Sequence, residues 1–319
     1  MRIAVIGSGG IGGYYGALLA KAGHDVVFVA RGSHLEAMQR HGLTVRTPAG
    51  ETTVPVTAVA DTGRVEPVDL VLFCVKSYDT ESAAPLLRPL IGRDTTVLTF
   101  QNGVDNADTI GSVVGSDAVL PGAVYIALQL VGPGVVLRTG GEGRMVFGEL
   151  DGVVSERIRR IAAAFQQSAI PHEVSPDIQR LLWEKFLFIT GVGGVTALAR
   201  SGIGPLLASP AGSTLLTASC DEIVAVAQAA GAPLTPAAAR AAIEQAATVP
   251  PQWRSSMARD LEDGRRLEVD ALSGAVVRRG RTHAIPTPIH QAIVACLSLH
   301  QPAASQQAMQ EPAPLSRSS

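Results

Sequence analysis

A short apolar strand that runs directly into a glycine-rich turn constrains the fold of this chain more than any other feature. The sequence begins MRIAVIGSGGIG, in which Gly7, Gly9 and Gly12 fill the glycine positions of G-x-G-x-x-G. A helix rich in Ala and Leu follows, and a second apolar run over residues 25–30 completes a βαβ unit. Because the motif also arises by chance in glycine-rich sequences, its place between a strand and a helix is what predicts a dinucleotide site.

Each glycine of the turn has a separate steric purpose. Gly7 permits the tight turn, Gly9 lets the backbone approach a pyrophosphate, and Gly12 allows close packing of the helix. The helix N-terminus then presents free N–H groups and a partial positive charge to the phosphates. We therefore predict a cofactor-binding segment made of Gly7, Ser8, Gly9, Gly10, Ile11 and Gly12.

The end of the second strand selects the dinucleotide. Domains that bind NAD place an Asp or Glu there, which accepts a hydrogen bond from the ribose 2′-hydroxyl. This chain has Arg31 instead. A guanidinium binds a 2′-phosphate through two parallel hydrogen bonds, whereas a carboxylate would repel it. Arg31 thus predicts NADP, and the alternative is an ordinary surface arginine at the end of a strand.

The composition fits a protein with a large core and a small-molecule ligand. Of 319 residues 46% are hydrophobic and 17% charged, and the formal net charge of −2 gives no basic surface for nucleic acid. The three cysteines Cys74, Cys220 and Cys296 are too widely spaced for a metal motif or a disulfide framework. No run of about 18 uninterrupted apolar residues occurs, and the first strand begins at once, without the charged region and long apolar stretch of a signal peptide. We expect a cytoplasmic protein that binds no nucleic acid, membrane or metal.

Buried strands alternate with helices in the first half of the chain, which is typical of a parallel sheet. Residues 69–75 and 95–100 are the apolar runs expected of fully buried strands, with a helix over residues 80–90 between them. Alternating residues on both sides of Pro48-Ala49-Gly50 predict a hairpin. The other elements predicted here are strands over residues 118–130, 135–139 and 144–148 and a helix over residues 155–167.

From about Pro176 the pattern becomes helical. The predicted helices cover residues 178–199, 211–230, 236–247, 256–281 and 287–299. The predicted fold class is α/β, with an N-terminal Rossmann-type, doubly wound and mostly parallel sheet in residues 1–175 and a C-terminal all-α domain in residues 176–300. Residues 301–319 are rich in Pro, Ser, Gln and Ala, which predicts a disordered tail.

Lysine is rare in this chain, and its positions are informative. Of 26 Lys and Arg residues only Lys21, Lys76 and Lys185 are lysine. Hydride delivery to a ketone carbon creates an alkoxide, which needs a proton from a general acid. Lys185 begins a long apolar helix of the second domain, where partial desolvation would lower its pKa towards neutrality. We predict Lys185 as the proton donor, against the simpler interpretation of a solvated helix lysine.

The segment that contains Ser255 and Ser256 offers a second candidate site. The two serines precede a charged helix and are natural N-cap residues. Free N–H groups and hydroxyls at the start of a helix suit a substrate carboxylate. The simpler interpretation is an amphipathic helix with an ordinary charged face, and these residues alone leave both open.

Segments spread over almost the whole chain resemble the ketopantoate reductase (2-dehydropantoate 2-reductase) family. They are the glycine turn and the runs VARG at 29–32, CVKS at 74–77, QNGV at 101–104, WEKF at 183–186, SSM to EVD at 255–270 and IPTP at 285–288. The resemblance implies a Rossmann domain and a helical domain with the active site between them. It also implies reduction of a 2-oxo acid to a 2-hydroxy acid with NADPH. In the reaction that names the family, ketopantoate becomes pantoate for pantothenate biosynthesis.

The resemblance assigns roles by position. Lys185 matches the family's proton donor, Asn102 the asparagine beside the nicotinamide and the substrate carbonyl, and Ser256 the substrate-binding serine. Glu268 matches the acid near the cofactor ribose and the substrate hydroxyl. The implied catalytic residues are therefore Lys185 and Glu268, and the implied substrate-binding residues are Asn102, Lys185, Ser255 and Ser256.

On the cofactor side, Lys76 matches a lysine of the family that lies near the cofactor, and Arg31 matches the ligand of the 2′-phosphate. The cofactor-binding set is completed by the glycine turn, Asn102 and Glu268. The implied ligands are NADPH and a small 2-oxo acid.

Two positions depart from the family pattern. The family tends to carry asparagines four and eight residues after the catalytic lysine, where this chain has Ile189 and Gly193. Each lost partner of a buried polar group costs about 1–3 kcal/mol, so recognition of the ketopantoate hydroxyl or carboxylate is weaker unless Thr190 or Thr196 replaces it. The alternatives are a reductase for a different, more apolar 2-oxo acid and a non-catalytic NADPH-binding sensor. The sequence leaves the oligomeric state open, a homodimer being one option.

Overall fold

A ten-stranded sheet forms the centre of the N-terminal unit. The computed structural model describes residues 1–301, which divide into two compact units, Met1–Leu182 and a second unit that begins at Trp183. The strands are β1 Arg2–Ile6, β2 Asp25–Val29, β3 Leu43–Thr47, β4 Gly50–Val54, β5 Thr57–Val59, β6 Leu70–Phe73, β7 Thr96–Thr99, β8 Val119–Gly132, β9 Val135–Phe147 and β10 His172–Val174.

Helices cover the faces of this sheet in the first unit, and helices also build the second unit. They are α1 Gly10–Lys21, α2 Gly32–His41, α3 Thr80–Ala83, α4 Asn106–Val114, α5 Glu156–Gln167, α6 Ile178–Leu187, α7 Gly193–Ala199, α8 Ile203–Ala208, α9 Pro210–Ala229, α10 Pro236–Thr248, α11 Ser256–Glu262, α12 Ala275–Thr282 and α13 Pro288–Ser298. The predicted domain boundary at 175/176 lies just before α6, whereas the division into compact units falls within that helix.

The strand order gives the N-terminal unit its doubly wound topology. Side by side the strands run β4-β3-β9-β8-β7-β6-β1-β2-β5, with β10 beside β9. Neighbours are parallel except for β3–β4, which is the predicted hairpin, and β8–β9. The predicted mostly parallel Rossmann-type sheet is therefore confirmed. Because β1 lies between β2 and β6, the chain leaves β1 first to one side and later returns on the other, and β1 ends at the topological switch point.

Successive residues of β1 enter two different cores, because strand side chains alternate between the faces of a sheet. Ile3 and Val5 pack with residues of α1 and α5 on one face. Ala4 and Ile6 pack with residues of α4 and of the 80–90 segment on the other. Burial on both faces explains the unbroken apolar runs over residues 3–6 of β1 and 70–73 of β6, while β7 is equally buried with a threonine at each end.

Some predicted elements of this unit differ in detail. The helix expected over residues 80–90 is a short α-helix, α3, followed by a 3-10 helix over Ala84–Leu90. Pro85 and Pro89 cause the change, because proline removes a backbone donor and clashes with the preceding turn. The two strands expected at 135–139 and 144–148 are one strand, β9, whose irregular pairing with β8 accommodates glycines at positive φ. The sequence analysis did not identify α2, α4, α8, β5 or β10.

Every element described from Trp183 onward is helical, so the predicted all-α partner of the sheet is confirmed. At its centre lies α9, which packs against α8, α10, α12 and α13. The prediction of one helix over residues 256–281 is wrong. α11 ends at Glu262, Gly264 then takes a left-handed φ of +64°, and the chain becomes helical again at Asp270. Gln301, expected to begin the disordered tail, is buried, and the rest of that tail lies outside the described residues.

The helical run Ile178–Ala199 is long and apolar enough to cross a membrane by length and composition alone. However, 61% of its most apolar stretch is buried within the fold, as in the core helix of a globular protein. It comprises α6, a wide π turn over Phe188–Val192, and α7. This run carries the predicted proton donor.

Candidate active site

The glycine turn leads from β1 into α1 at the carboxyl edge of the sheet. Gly7 has a φ of +90°, and a Cβ there would lie 2.5 Å from the backbone nitrogen of Val75. A Cβ on Gly12 would overlap the Gly7 carbonyl oxygen, so α1 packs directly on the turn. At Gly9, in contrast, nothing lies within 4 Å of the place a Cβ would take. The geometry therefore leaves room for a ligand over Gly9.

The start of α1 is suited to an anion. The helix begins at Gly10 without a capping side chain, and its first turn contains no acidic residue. Its first N–H groups are thus directed out of the helix with no negative side chain of that turn beside them.

Ser8 is fixed from two directions. Its hydroxyl donates to the Val29 carbonyl at 2.8 Å, and its own carbonyl accepts from Nε2 of His34 at 2.8 Å. Nδ1 of His34 accepts from the Gly134 N–H at 2.9 Å, which assigns the proton to Nε2. The hydroxyl of Ser8 is therefore committed to the protein, and its backbone N–H is what it offers a ligand. The sequence analysis assigned no role to His34.

Arg31 lies at the same edge of the sheet as the glycine turn. It stands between the end of β2 and the start of α2, and β2 is the parallel neighbour of β1. Its side chain is exposed. The guanidinium is thus placed to meet a ligand beside the glycine turn, which is the position that the sequence analysis gave it.

A buried polar network fastens the loops that follow β6 and β7. The Gln101 amide donates to the Val75 carbonyl at 3.0 Å and to the Thr80 hydroxyl at 2.7 Å. Thr80 donates in turn to Asn106 at 3.0 Å, and Asn106 donates to the Asn102 carbonyl at 2.7 Å. Two loops from neighbouring parallel strands are thereby held as one surface.

This network positions two predicted site residues, Lys76 and Asn102. Lys76 is exposed in the loop after β6, and Asn102 is half-buried in the loop after β7. Ser77, next to Lys76, donates to the Asn102 carbonyl at 2.8 Å. In the described part of the chain the side-chain amide of Asn102 has no hydrogen-bond partner, so it is available to a ligand. Sequence reasoning did not identify Gln101, Thr80 or Asn106 as supports, although two of them lie in the polar run that contains Asn102.

In the helical unit, Lys185 and Glu268 interact electrostatically. Burial lowers the pKa of Lys185 to about 8, and the Glu268 carboxylate opposes that shift. Glu268 is buried, and Lys185 is half-buried near the end of α6. The pKa of Lys185 therefore lies nearer to neutral pH than that of an ordinary lysine, as the sequence analysis expected of a general acid.

The helix that carries Lys185 is anchored by aromatic contacts. Trp183 and Phe186 are buried and meet edge to face, with ring centres 5.6 Å apart. The guanidinium of Arg279 on α12 lies over the Trp183 ring, 5.5 Å from its centre. These contacts fix the end of α6 that carries Lys185 within the helical unit.

The segment that carries Glu268 is anchored at the end of the described chain. The side-chain amide of Gln301 pairs with both backbone groups of Leu267: its oxygen accepts from the Leu267 N–H at 3.0 Å, and its nitrogen donates to the Leu267 carbonyl at 3.1 Å. Gln301 is therefore a structural support of Glu268. Its position in a polar, proline-rich stretch gave no sequence signal of this contact.

The two predicted substrate serines differ in their surroundings. Ser255 is buried and caps α11, where its oxygen accepts from the Ala258 N–H at 3.1 Å and its hydroxyl donates to the Gly193 carbonyl at 2.9 Å. Ser256, the first residue of α11, is exposed. Ser255 is thus committed to the protein, and Ser256 is the serine accessible to a ligand.

The two positions that depart from the family pattern lie along the π turn and its end. Ile189 is inside the turn and half-buried, and Gly193 is the first residue of α7. A Cβ on Gly193 would lie 3.0 Å from the Cβ of Ser255, so the close contact with Ser255 depends on glycine. Thr196 is bonded to the Gly193 carbonyl at 2.9 Å, whereas the buried hydroxyl of Thr190 has no partner in the described residues.

The predicted site residues thus fall into two groups. The glycine turn, Arg31, Lys76 and Asn102 share one edge of the sheet in the first unit, and Lys185, Glu268, Ser255 and Ser256 belong to the second. Within residues 1–301 no three His, Cys, Asp or Glu side chains are grouped as a metal site.

Two family profiles match the chain. One, described as ketopantoate reductase PanE/ApbA, matches residues 3–152, and the other, described as the C-terminal part of the same family, matches residues 177–301. A 2-dehydropantoate 2-reductase from Halobacterium salinarum is 37% identical over 306 residues, which cover 94% of this chain and 99% of the relative.

Solved structures agree with these profiles. A PanE/ApbA family ketopantoate reductase from Ralstonia eutropha superposes with a TM-score of 0.86 at 36% identity, covering 96% of this chain and 100% of that one. A D-mandelate dehydrogenase, solved with NADH and anilino(oxo)acetate, superposes with a TM-score of 0.85 at 22% identity and covers 94% of this chain and 98% of that one. At that identity the second likeness concerns the fold alone.

The steric contrast between two glycines gives a test of the cofactor position. Gly9→Ala adds a methyl group in open space, so we expect the free energy of unfolding to change by less than about 0.5 kcal/mol. We also expect the same methyl group to obstruct a bound pyrophosphate and to raise the Kd of a nicotinamide dinucleotide by at least about tenfold. Gly12→Ala, the matched control, forces overpacking and destabilises the fold by about 1–3 kcal/mol. Thermal melting and NADPH titration of both variants separate the two effects, and unchanged NADPH affinity of Gly9→Ala would refute this binding mode.

Proposed function

The chain belongs to the ketopantoate reductase family, and on this basis we propose that it reduces a 2-oxo acid to a 2-hydroxy acid with NADPH. The proposed substrate is 2-dehydropantoate (ketopantoate) and the product pantoate, for pantothenate biosynthesis. The observation that carries the proposal is the Lys185 ammonium beside Glu268, with a pKa lowered to about 8. Such an acid suits the proton transfer that ketone reduction requires.

The glycine turn fits a nicotinamide dinucleotide. The open space over Gly9 and the uncapped start of α1 suit the pyrophosphate. Arg31 and its exposed guanidinium suit the 2′-phosphate of NADP, and no Asp or Glu stands at the end of β2 to bind a ribose 2′-hydroxyl. Lys76 and Asn102 complete the cofactor contacts in this proposal. When bound, the nicotinamide supplies the hydride that reduces the substrate carbonyl carbon.

Lys185 acts as general acid in the proposed mechanism. Its ammonium donates a hydrogen bond to the carbonyl oxygen of the 2-oxo acid and transfers a proton to it as negative charge develops there. Because burial lowers its pKa to about 8, the lysine remains mostly protonated at neutral pH and yet releases its proton readily. The pKa of Lys185 is thus suited to proton donation near neutral pH.

Glu268 has two tasks in the same mechanism. Its carboxylate opposes the effect of burial on Lys185 and so keeps the lysine protonated at working pH. It also accepts a hydrogen bond from a hydroxyl of the substrate or of the cofactor ribose, as an ionised carboxylate does. Asn102 orients the substrate carbonyl through its amide.

The substrate carboxylate is assigned to the exposed Ser256. Its hydroxyl can donate to the carboxylate from the first turn of α11. Ser255 acts beneath it, because its hydrogen bonds to Ala258 and Gly193 fix the start of that helix. Ser255 therefore supports the substrate site rather than contacting the substrate through its hydroxyl.

A more apolar 2-oxo acid is the second candidate substrate. Ile189 offers no hydrogen bond, and Gly193 lies so close to Ser255 that an asparagine there would displace it. Neither position can supply the amide that the family tends to use. The hydroxyl that distinguishes ketopantoate from simpler 2-oxo acids therefore has fewer partners in this chain.

The cysteines bear on the proposed cellular compartment. We place the reaction in the cytoplasm, since the described cysteines are free and widely separated in the sequence. The proposed ligand is a small molecule, and neither nucleic acid nor a membrane takes part. Assembly as a homodimer is compatible with this function.

The test of the function is turnover of a matched substrate pair. Ketopantoate and trimethylpyruvate differ by one hydroxyl group, and oxidation of NADPH by each is followed through nicotinamide absorbance. With Ile189 and Gly193 in place of amides, we expect the two kcat/KM values to agree within about tenfold, whereas a site that binds the hydroxyl discriminates by about 10⁴. Turnover of trimethylpyruvate alone would favour the apolar substrate, and NADPH binding without turnover of either acid would favour a sensor.

The proposed proton donor predicts the pH dependence of kcat. The protonated form of Lys185 is the active one in reduction, so kcat is constant below about pH 8 and falls about tenfold per pH unit above it. Lys185→Ala should remove this limb and lower kcat by at least about 100-fold with little change in the Kd of NADPH. Glu268→Gln should move the limb to lower pH, because the carboxylate raises the lysine pKa. Lys21→Ala, an exposed lysine, is the control; full activity of Lys185→Ala would refute the mechanism.

The preference for NADPH should depend on Arg31. Arg31→Ala removes a charge-assisted contact to the 2′-phosphate, so we expect KM for NADPH to rise about 10- to 100-fold and KM for NADH to change less than about twofold. Arg40→Ala removes an exposed arginine of the same helix region and serves as the control. Equal losses with both cofactors would show that Arg31 does not read the 2′-phosphate.

A further inference from the structure

Two wide helical turns follow the two residues that the proposed function places in proton transfer. Lys185 is followed by the π turn Phe188–Val192, and Glu268 by a second π turn, Asp270–Gly274. A π turn opens the regular i to i−4 ladder, leaves backbone groups in need of other partners, and is frequent at functional sites. The groups that form hydrogen bonds with these two turns therefore help to determine the positions of Lys185 and Glu268.

One buried serine supports the first π turn. The hydroxyl of Ser219, on the central helix α9, donates to the carbonyl of Gly191 at 3.2 Å. Gly191 also lies so close to α9 that a Cβ on it would be 2.9 Å from Sγ of Cys220. The turn after Lys185 is thus seated directly on α9, and Ser219 satisfies one of its carbonyls.

One buried histidine joins this support to the second π turn. His290, on α13, lies with Nε2 3.0 Å from the carbonyl of Ser219 and with Nδ1 3.1 Å from the hydroxyl of Ser273, which is inside the second turn. A carbonyl only accepts, so Nε2 carries the proton and Nδ1 accepts from Ser273. Burial lowers the pKa of His290 to about 4, which keeps the ring neutral and in this one tautomer.

The backbone of His290 is fixed by the same helix. Glu222, one turn beyond Ser219 on α9, accepts from the N–H groups of Ile289 and His290 at 2.8 and 3.1 Å. The carboxylate thereby binds the start of α13. Gly194, just after the first π turn, would place a Cβ 3.1 Å from Ile293 of α13, so this helix also packs tightly on that region.

We propose that His290, with Ser219 and Ser273, is a positioning unit that holds the Lys185 and Glu268 segments in a fixed relation for proton transfer. The inference rests on the proposed function, which gives those two residues their roles. All three side chains have no exposed surface, which excludes direct contact with a substrate. They act through the two π turns. Ser219 donates to the first turn, Ser273 lies within the second, and His290 forms a hydrogen bond with each of the two serines.

Loss of one link should change geometry more than ligand affinity. Without the Ser219 or Ser273 hydroxyl a buried acceptor is left unpaired, and the adjoining π turn shifts to find another partner. A displacement of the order of 1 Å at a proton donor can cost about 100-fold in rate. We expect kcat to fall at least about tenfold in Ser219→Ala and in Ser273→Ala, with KM changed less than about twofold.

The scarcity of lysine permits a direct measurement without turnover. The chain contains only Lys21, Lys76 and Lys185, so isotope-labelled lysine gives three side-chain NMR signals, and Lys185→Ala identifies the one of interest. The titration midpoint of Lys185 is measured with and without Glu268→Gln, and the difference reports the coupling of the two groups. That difference should fall by at least about half in Ser219→Ala and Ser273→Ala, because Coulomb coupling weakens as the charges separate or gain water.

Two further variants sharpen the result. His290→Gln retains a donor for the Ser219 carbonyl but loses the acceptor of Ser273, so it should match Ser273→Ala in both kcat and coupling. Thr217→Ala is the control: it removes an exposed hydroxyl of α9 that bonds only its own helix, at the Ser213 carbonyl, and should leave both quantities unchanged. Should an alanine variant fail to fold, the corresponding cysteine variant keeps the volume with a weaker donor and gives the same comparison.

The outcomes separate this inference from the function on which it rests. Coupling and kcat like those of the unmodified protein in Ser219→Ala, Ser273→Ala and His290→Gln would overturn the inference, because the cluster would then be a satisfied polar core without influence on Lys185. Full activity of Lys185→Ala would instead refute the proposed function. Loss of coupling and kcat in the three variants, together with a strict need for Lys185, supports both.

Discussion

Desolvation of one ammonium group sets the electrostatics of the candidate site in the helical unit. Burial weakens the hold of Lys185 on its proton and brings its pKa to about 8, and the Glu268 carboxylate keeps that pKa from falling further. Since electrostatic coupling in a protein interior depends strongly on separation, both groups need firm supports. Trp183 provides one by packing on Phe186 and under an arginine, and Gln301 provides another by pairing with the backbone beside Glu268.

In the sheet unit the candidate site depends on glycine, because three positions of the turn carry no side chain. Gly7 and Gly12 bring the turn, β6 and α1 into contact distances that no Cβ would permit, whereas Gly9 leaves space open beside the helix start. Backbone N–H groups are the natural ligands of phosphates at such a turn. Around it, Gln101 and Asn106 join neighbouring loops into one rigid edge. A rigid edge suits a cofactor whose reactive ring must meet a substrate at a fixed distance.

Sequence reasoning succeeded where structure is set by local pattern and failed where distant groups decide it. The largely apolar runs that contain β6 and β7 predicted strands buried on both faces, as expected of a parallel sheet covered by helices. The same reasoning joined residues 256–281 into one helix, since charge periodicity outweighed the break at Gly264. The π turns after Lys185 and Glu268 have no sequence signature of their own, because they depend on partners supplied by α9 and α13.

The amino-acid sequence by itself determined the fold class, the glycine turn and the arginine at the end of β2, because each depends on residue type at short spacing. It also singled out Lys185 among three lysines as the proposed proton donor. Only the tertiary structure decided that Ser255 is committed to a helix cap while Ser256 is accessible, and that His290 links the two π turns. Both arrangements include a contact between residues far apart in the sequence, which is 62 positions for Gly193–Ser255 and 71 for Ser219–His290. Side-chain hydrogen bonds of that span follow from packing, which no local pattern encodes.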